Sequence, residues 1–342
     1  MLFLVRLNPF VVFVLKRLGV MILTFFVALT IIFLLPRIIP GNPLAMLIYQ
    51  LVQQSATNPE MIRDVERMLM DYFKLDRPLY QQYIDFLVGL IHFDLGRSIR
   101  YFPRTVNEIA AMYLPWSLAL LVPAIIASWT IGNTIGVVAA MNRGKIIDKV
   151  LLPLLAVLQG TPAYVFGIYL VLMAVATKWF PAGGAYSPTA IPSFSLSFIV
   201  DYLHHYILPF LSIFLTSLGG WGLSMRSIAI QELSMDYMDY ARVIGLSQNK
   251  TVKYLFKLSA LPQIVGLAIV LGWSIAGSII TEIIFNYPGI GRALWDAVQS
   301  QDYMLIQGYF VILIGTILMA NFISELIFAI IDPRVRYAYT GE

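Results

Sequence analysis

The sequence predicts an all-α polytopic membrane protein: six transmembrane helices, with an ordered helical segment outside the membrane between the first two. Three observations carry this prediction. Apolar residues make up 59% of the chain and charged residues only 12%, whereas a soluble domain is nearer half apolar and about a quarter charged. Several apolar runs approach or exceed the ~20 residues that cross a ~30 Å hydrocarbon core. The basic residues also alternate from one inter-run segment to the next.

The apolar runs place spans at about 12–36, 112–141, 150–176, 207–229, 260–284 and 304–331. The start, Met1-Leu-Phe-Leu-Val-Arg6, lacks a small-residue cleavage site, so the first run reads as a retained span. Six spans put both termini on one side of a cell membrane. Arg6, Lys16, Arg17, Arg143, Lys145, Lys149, Arg226, Arg242, Lys250, Lys253, Lys257, Arg334 and Arg336 fall on that side. The short loops opposite carry only Lys178 and Arg292. The bias predicts cytoplasmic termini. It also accounts for the formal net charge of +4 without nucleic-acid binding.

The chain divides at these spans into 1–39 (leading segment and first span), 40–111 (an external helical subdomain), 112–331 (five spans) and 332–342 (a cytoplasmic tail). Within 40–111, Asn58-Pro-Glu60 opens a helical pattern, and Asp64, Arg67 and Asp71 share its polar face. Asp76-Arg-Pro-Leu79 starts a second helix, with proline suited to the first turn. Tyr186 to Ser193 reads as an irregular loop.

The most informative stretch is 234–262, a charged helix-glycine-helix segment between the fourth and fifth spans. Ser234 is a suitable N-cap, and Asp236 and Asp239 suit a helix N-terminus. Tyr237, Tyr240, Ala241 and Ile244 share one face, and Gly245 ends the helix before apolar Leu246. Ser247 can cap the next helix, where Lys250, Lys253 and Lys257 face away from Val252, Leu255 and Phe256; such a helix suits the lipid headgroup level. The pattern alone leaves two readings open: an interfacial connection between spans, or a docking element for a soluble partner.

This segment resembles the coupling loop of ABC-importer permeases: an acid-Ala-Ala tract, glycine four positions on, then Leu-Pro. Here Asp239, Tyr240, Ala241, Gly245 and Leu261-Pro262 hold those places, with Tyr240 departing from alanine. Tyr237, Ala241, Arg242, Gly245, Leu246 and Ser247 are similar to the version in the dipeptide/oligopeptide/nickel permease family, while Val243 and Ile244 depart from it. Ile39 to Pro43, Leu75 to Tyr80, Asp94 to Ser98, Glu282 to Gly291 and Asp332 to Arg336 resemble further tracts of that family, in order along the chain.

The resemblance implies a permease subunit working with a homologous second permease, two cytoplasmic ATPases and an external substrate-binding protein. Asp236, Tyr237, Asp239, Tyr240, Ala241, Arg242, Gly245, Leu246 and Ser247 would meet an ATPase. Its substrates are expected to be oligopeptides or oligosaccharides, with nickel as the alternative. ATP and magnesium belong to the partners, since Gly144-Lys145 lacks both the upstream glycine and the Ser/Thr of a phosphate loop.

Candidates for the translocation path are the polar and aromatic residues within spans: Gln159, Thr161, Tyr164, Trp221, Trp273, Ser274, Ser278 and Glu282. Each has helix packing or interfacial anchoring as its competing role, and for Glu282 an outer gate and a helix cap are equally open. Gly219-Gly-Trp-Gly222 predicts close packing or bending, and Pro153, Pro162 and Pro209 predict kinks or helix ends. His204-His205 reads as part of an external loop and, with no further ligand nearby, not as a metal site. An intramembrane enzyme would need a paired nucleophile and base within the spans, and the sequence supplies none; with no cysteine, thiol chemistry is excluded.

Overall fold

Long apolar runs fold into long helices because a backbone in hydrocarbon must satisfy its own hydrogen bonds. The computed structural model of the protein describes residues 9–38, 44, 48, 59–277 and 279–331. The tracts at 39–43 and 332–336, the tail at 332–342 and Ser278 lie outside the described residues. The helices are α1 (Pro9–Ile38), α2 (Pro59–Tyr72), α3 (Leu79–Ile91), α4 (Val106–Met141), α5 (Ile146–Gly160), α6 (Ala163–Thr177), α7 (Leu196–Leu233), α8 (Asp236–Val243), α9 (Gln248–Gly277), α10 (Ile279–Ile284), α11 (Ile290–Gln299) and α12 (Tyr303–Ile331). There is no β-ladder among the described residues beyond an isolated bridge of Arg97 with Thr105.

Among the described residues, four helices, α1, α4, α7 and α12, are each long and apolar enough to cross a membrane. The third and fifth expected spans are bent pairs, so six crossings result only if each pair counts as one. The run at 150–176 is two helices, α5 and α6, meeting at 93°. Pro162 lacks an amide and forces Thr161 into an extended conformation (φ −98°, ψ 115°). The fifth run, 260–284, takes in the far part of α9 and the short α10, and α9 itself bends by 50° between Lys250–Ala260 and Pro262–Trp273. The lysine-bearing helix expected at the headgroup level is therefore the near part of that same helix.

Local capping extends two helices past the apolar runs that announce them. Thr105 and Glu108 form a capping box, so α4 starts at Val106, not 112. Ser195 accepts from the Phe198 amide at 3.3 Å, so α7 starts at Leu196 and not at 207. His204 and His205 thus lie on a helix, not in a loop. Pro78 precedes α3 at its N-cap instead of entering its first turn. Ser234 does not open α8; its hydroxyl donates to the Gln231 carbonyl at 2.7 Å and closes α7.

Glycine sets the spacing at the centre. A Cβ at Gly136 of α4 would stand 2.5 Å from the Gly222 carbonyl of α7, and one at Gly219 of α7 would stand 2.4 Å from the Gln159 amide of α5. Without side chains there, backbones pack directly, which is how helices associate where lipid removes the hydrophobic driving force. α1 lies along α12, tied by Arg17 to Glu325 at 2.9 Å. At the end of the bundle carrying α2 and α3, here the distal end, Leu44, Phe73 and Ile99 form a small core. There Thr30 and Tyr83 join α1 to α3 through hydroxyls 2.6 Å apart.

Candidate functional site

At the opposite end, α8 hangs between α7 and α9. Eight residues cannot sustain a helix alone, so tertiary contacts must hold it. Met238 supplies one, with only 2% of its surface exposed. The Tyr237 hydroxyl supplies another by donating to the Glu232 carboxylate of α7. Asp236 and Asp239 occupy the first turn, where negative charge favours the helix dipole. The rest projects outward: Tyr237 is 46% exposed and Tyr240 68%, and Val243 and Ile244 are exposed too. Ala241 is half-buried, and Arg242 lies in the same helix.

Past α8 the Leu246 amide bonds back to the Ala241 carbonyl at 3.1 Å, and Gly245 takes φ +75°. No atom lies within 4 Å of a Cβ built there, so the backbone angle, not space, asks for glycine. Leu246 is half-buried, and Ser247 stands directly before α9. Lys250, Lys253 and Lys257 are exposed, while Leu255, with Val252 and Phe256 beside it, packs into an apolar cluster with Val137, Ala140, Met225 and Ala229. This face therefore meets α4 and α7, not lipid headgroups.

An ion pair fixes the platform beside it. Asp148 of α5 accepts from Arg226 of α7 at two nitrogens, 2.7 and 2.9 Å away, and from the Gly144 amide at 3.0 Å. The fork geometry uses both carboxylate oxygens and binds the α4–α5 turn to α7.

Two buried carboxylates do comparable work distally. Glu282 is fully buried; it accepts from Ser117 of α4 at 2.7 Å and from the Gly291 and Arg292 amides at 2.7 and 3.2 Å. It thereby satisfies the N-terminus of α11. Asp302, also fully buried, accepts from Ser98 at 2.5 Å, from the Arg100 amide at 3.0 Å and from the Leu305 amide at 3.0 Å. It caps α12 and pins the 98–100 turn onto it.

The other path candidates are scattered. Gln159 is exposed and close to Gly219 and Gly220. The Thr161 carbonyl accepts from Thr216 at 3.1 Å, and Tyr164 is exposed on α6. Trp221 packs its ring against Gly266 of α9; Trp273 is exposed on the same helix, which also contains Ser274. A more continuous feature escaped the sequence reading. Tyr202, Tyr206, Phe210 and Phe214 form a row along α7 with successive ring centroids 5.4, 5.4 and 5.5 Å apart, and Trp116 joins its distal end. Their four-residue spacing is visible in the sequence and marks one helix face. Arg226, a lone cation in an apolar run, was the available signal for the ion pair. Met238 had none.

His204 Nε2 lies 2.9 Å from the Trp179 carbonyl, and His205 Nδ1 lies 2.9 Å from the Asp201 carbonyl. Among the described residues no group of three or more His, Cys, Asp or Glu converges.

Bent and straight membrane helices locked by buried polar clamps, with one short helix slung between two long ones, define a multi-pass membrane protein. The chain belongs to the family of binding-protein-dependent transport system inner membrane components, whose family model matches residues 132–337. That match begins in α4 and takes in both bent pairs and α8. The chain is 30% identical to the oligopeptide transport system permease protein of Haemophilus influenzae, over 95% of this chain and 99% of that one. It is 28% identical to a di/tripeptide transport system permease protein of Pseudomonas aeruginosa (95% and 98%), and 27% identical to a glutathione transport system permease protein of Shigella flexneri (95% and 99%). It is a transport subunit of the inner membrane.

Proposed function

We propose that this permease forms half of a translocation path for peptides, and that α8 is the element through which cytoplasmic ATPases drive it. The observation that carries the proposal is α8 itself: a short helix anchored by Met238, turned by Gly245 and showing Tyr237, Tyr240 and Ile244 to the outside. Relatives whose names specify oligopeptide, di/tripeptide and glutathione transport favour peptides; none of these three names a sugar or nickel.

In this reading the α8 end is cytoplasmic, as the lysines of α9 suggest, and α2 and α3 are external, on the side of a substrate-binding protein. A second permease completes the path, and the two ATPases hold ATP and magnesium. Closure of the ATPases on ATP pushes α8; the push passes through Leu255 to α4 and α7 and favours one of two orientations of the bundle. Such a push transports only if it stabilises one state over the other. The aromatic row of α7, with Trp221 and Trp273, is the apolar part of the path, suited to side chains of hydrophobic peptides.

The test replaces Gly245 or Ala241 with a bulky residue in the reconstituted complex and measures peptide uptake and ATP hydrolysis together. Uptake is expected to fall relative to hydrolysis, with the complex still assembled. Normal uptake by both variants would refute the proposal.

A further inference from the structure

α4 and α9 run antiparallel, and two contacts set their register. Nearer the distal end, the Trp129 indole donates to the Gln263 carbonyl at 3.0 Å. Nearer α8, Val137 and Leu255 share one buried cluster. Asn133 stands one turn from Trp129 towards Val137, and Ser259 one turn from Gln263 towards Leu255. Four-residue steps keep side chains on one helix face, so Asn133 and Ser259 occupy the same layer on facing helices. Both are fully buried. Among the described residues, neither the amide nitrogen and oxygen of Asn133 nor the Ser259 hydroxyl has a hydrogen-bond partner. Their neighbour Gln263, in contrast, donates its side-chain amide to Ser224 of α7 at 2.8 Å.

Buried polar groups left unbonded bear their desolvation cost without return. Here the two unbonded groups lie in one layer of the α4–α9 contact. The fold also supplies a way to bring them together. α9 starts at Gln248, just past Gly245, and bends by 50° at Pro262, where the missing amide leaves the Leu258 carbonyl without its helical partner. Ser259 sits on the α8 side of that bend. Asn133 sits on α4, close-packed against α7 through Gly132 and Gly136.

We propose that Asn133 and Ser259 are a polar latch of the transport cycle, apart in this conformation and hydrogen-bonded in the other. Formation of the bond offsets part of the cost of moving α9, so the pair sets the balance between the two states. These are positioning residues, with no direct contact to substrate required.

Because the chain has no cysteine, Asn133→Cys/Ser259→Cys introduces the only thiol pair in this subunit. In the assembled importer, disulfide formation is compared without nucleotide and with trapped ATP; the yield is expected to differ by about fivefold or more, the lower range of allosteric coupling. Alongside it, Asn133→Ser and Ser259→Ala are each expected to lower uptake per ATP about threefold or more at unchanged KM. The exchanged pair Asn133→Ser/Ser259→Asn keeps both partners in the layer and is expected to return within about twofold of the parent. A cross-link equal in both nucleotide states, or absent from both, overturns the latch. So does an exchanged pair that is no better than the single variants. The inference rests on α8 being the element the ATPases move. That reading fails separately, through normal uptake by the Gly245 variants, and not through the thiol pair.

Discussion

Replacing Asp148 with alanine removes the acceptor that three donors share: Arg226 Nε, Arg226 Nη2 and the Gly144 amide. The guanidinium is left in place with its side chain only 17% exposed. Stranding one partner of a buried pair costs about 3–5 kcal/mol. The pair lies near the end of the bundle, close to water, which favours the lower figure of about 3 kcal/mol, a shift of about 100-fold in a folding or conformational equilibrium. Replacing both residues with apolar side chains, as in Asp148→Leu/Arg226→Met, removes the stranded charge and is expected to recover most of the loss. Thermal unfolding of the detergent-solubilised permease checks this, with the single variant melting about 5 °C or more below the parent. Cost below about 1 kcal/mol, or single and double variants that behave additively, would refute the view that this clamp joins the α4–α5 turn to α7.

Three further outcomes are expected. Gly245→Val places a β-branched residue at φ +75° and should strain the turn by about 1–2 kcal/mol; Gly245→Asn should be tolerated far better, and uptake per ATP separates the two. Glu282→Gln turns an amide towards donors that now meet a carboxylate and should lower stability by about 1–3 kcal/mol, read as the melting temperature beside that of Ser117→Ala. Tyr206→Ala and Phe214→Ala break the aromatic row and should raise the KM for peptides with aromatic side chains about tenfold, with less change for polar peptides; equal effects on both peptide classes would remove the row from the path.

Where a helix is announced by hydrophobic length, as in α1 and α12, its place follows from the sequence within a few residues. Where a boundary depends on a cap, the apolar run stops short: Thr105 with Glu108 and Ser195 with Phe198 begin α4 and α7 in polar sequence. Pro162 announced a kink, but not that α5 and α6 would meet at 93°; the angle reflects packing of both against α7. The Gly245 turn was legible because positive φ has a residue signature. Ser234 was misplaced because a serine beside a helix end can close one helix as readily as open the next. The clamps at Asp148, Glu282 and Asp302 join residues tens to hundreds of positions apart, and no local pattern reveals such pairings. Glu282 shows the limit most clearly: the residue stood out in the sequence, while its role as the cap of α11 emerged only with Ser117 and Gly291 beside it.

In the proposed mechanism α8 touches an ATPase on the cytoplasmic side. Tyr240→Cys gives this cysteine-free subunit one thiol at the most exposed tyrosine of α8. With a short thiol-directed cross-linker in the assembled importer, a product between this subunit and an ATPase is expected, blocked by reagents that reach the cytoplasmic face. A product with the external binding protein, or labelling of that thiol from outside intact cells, would contradict it.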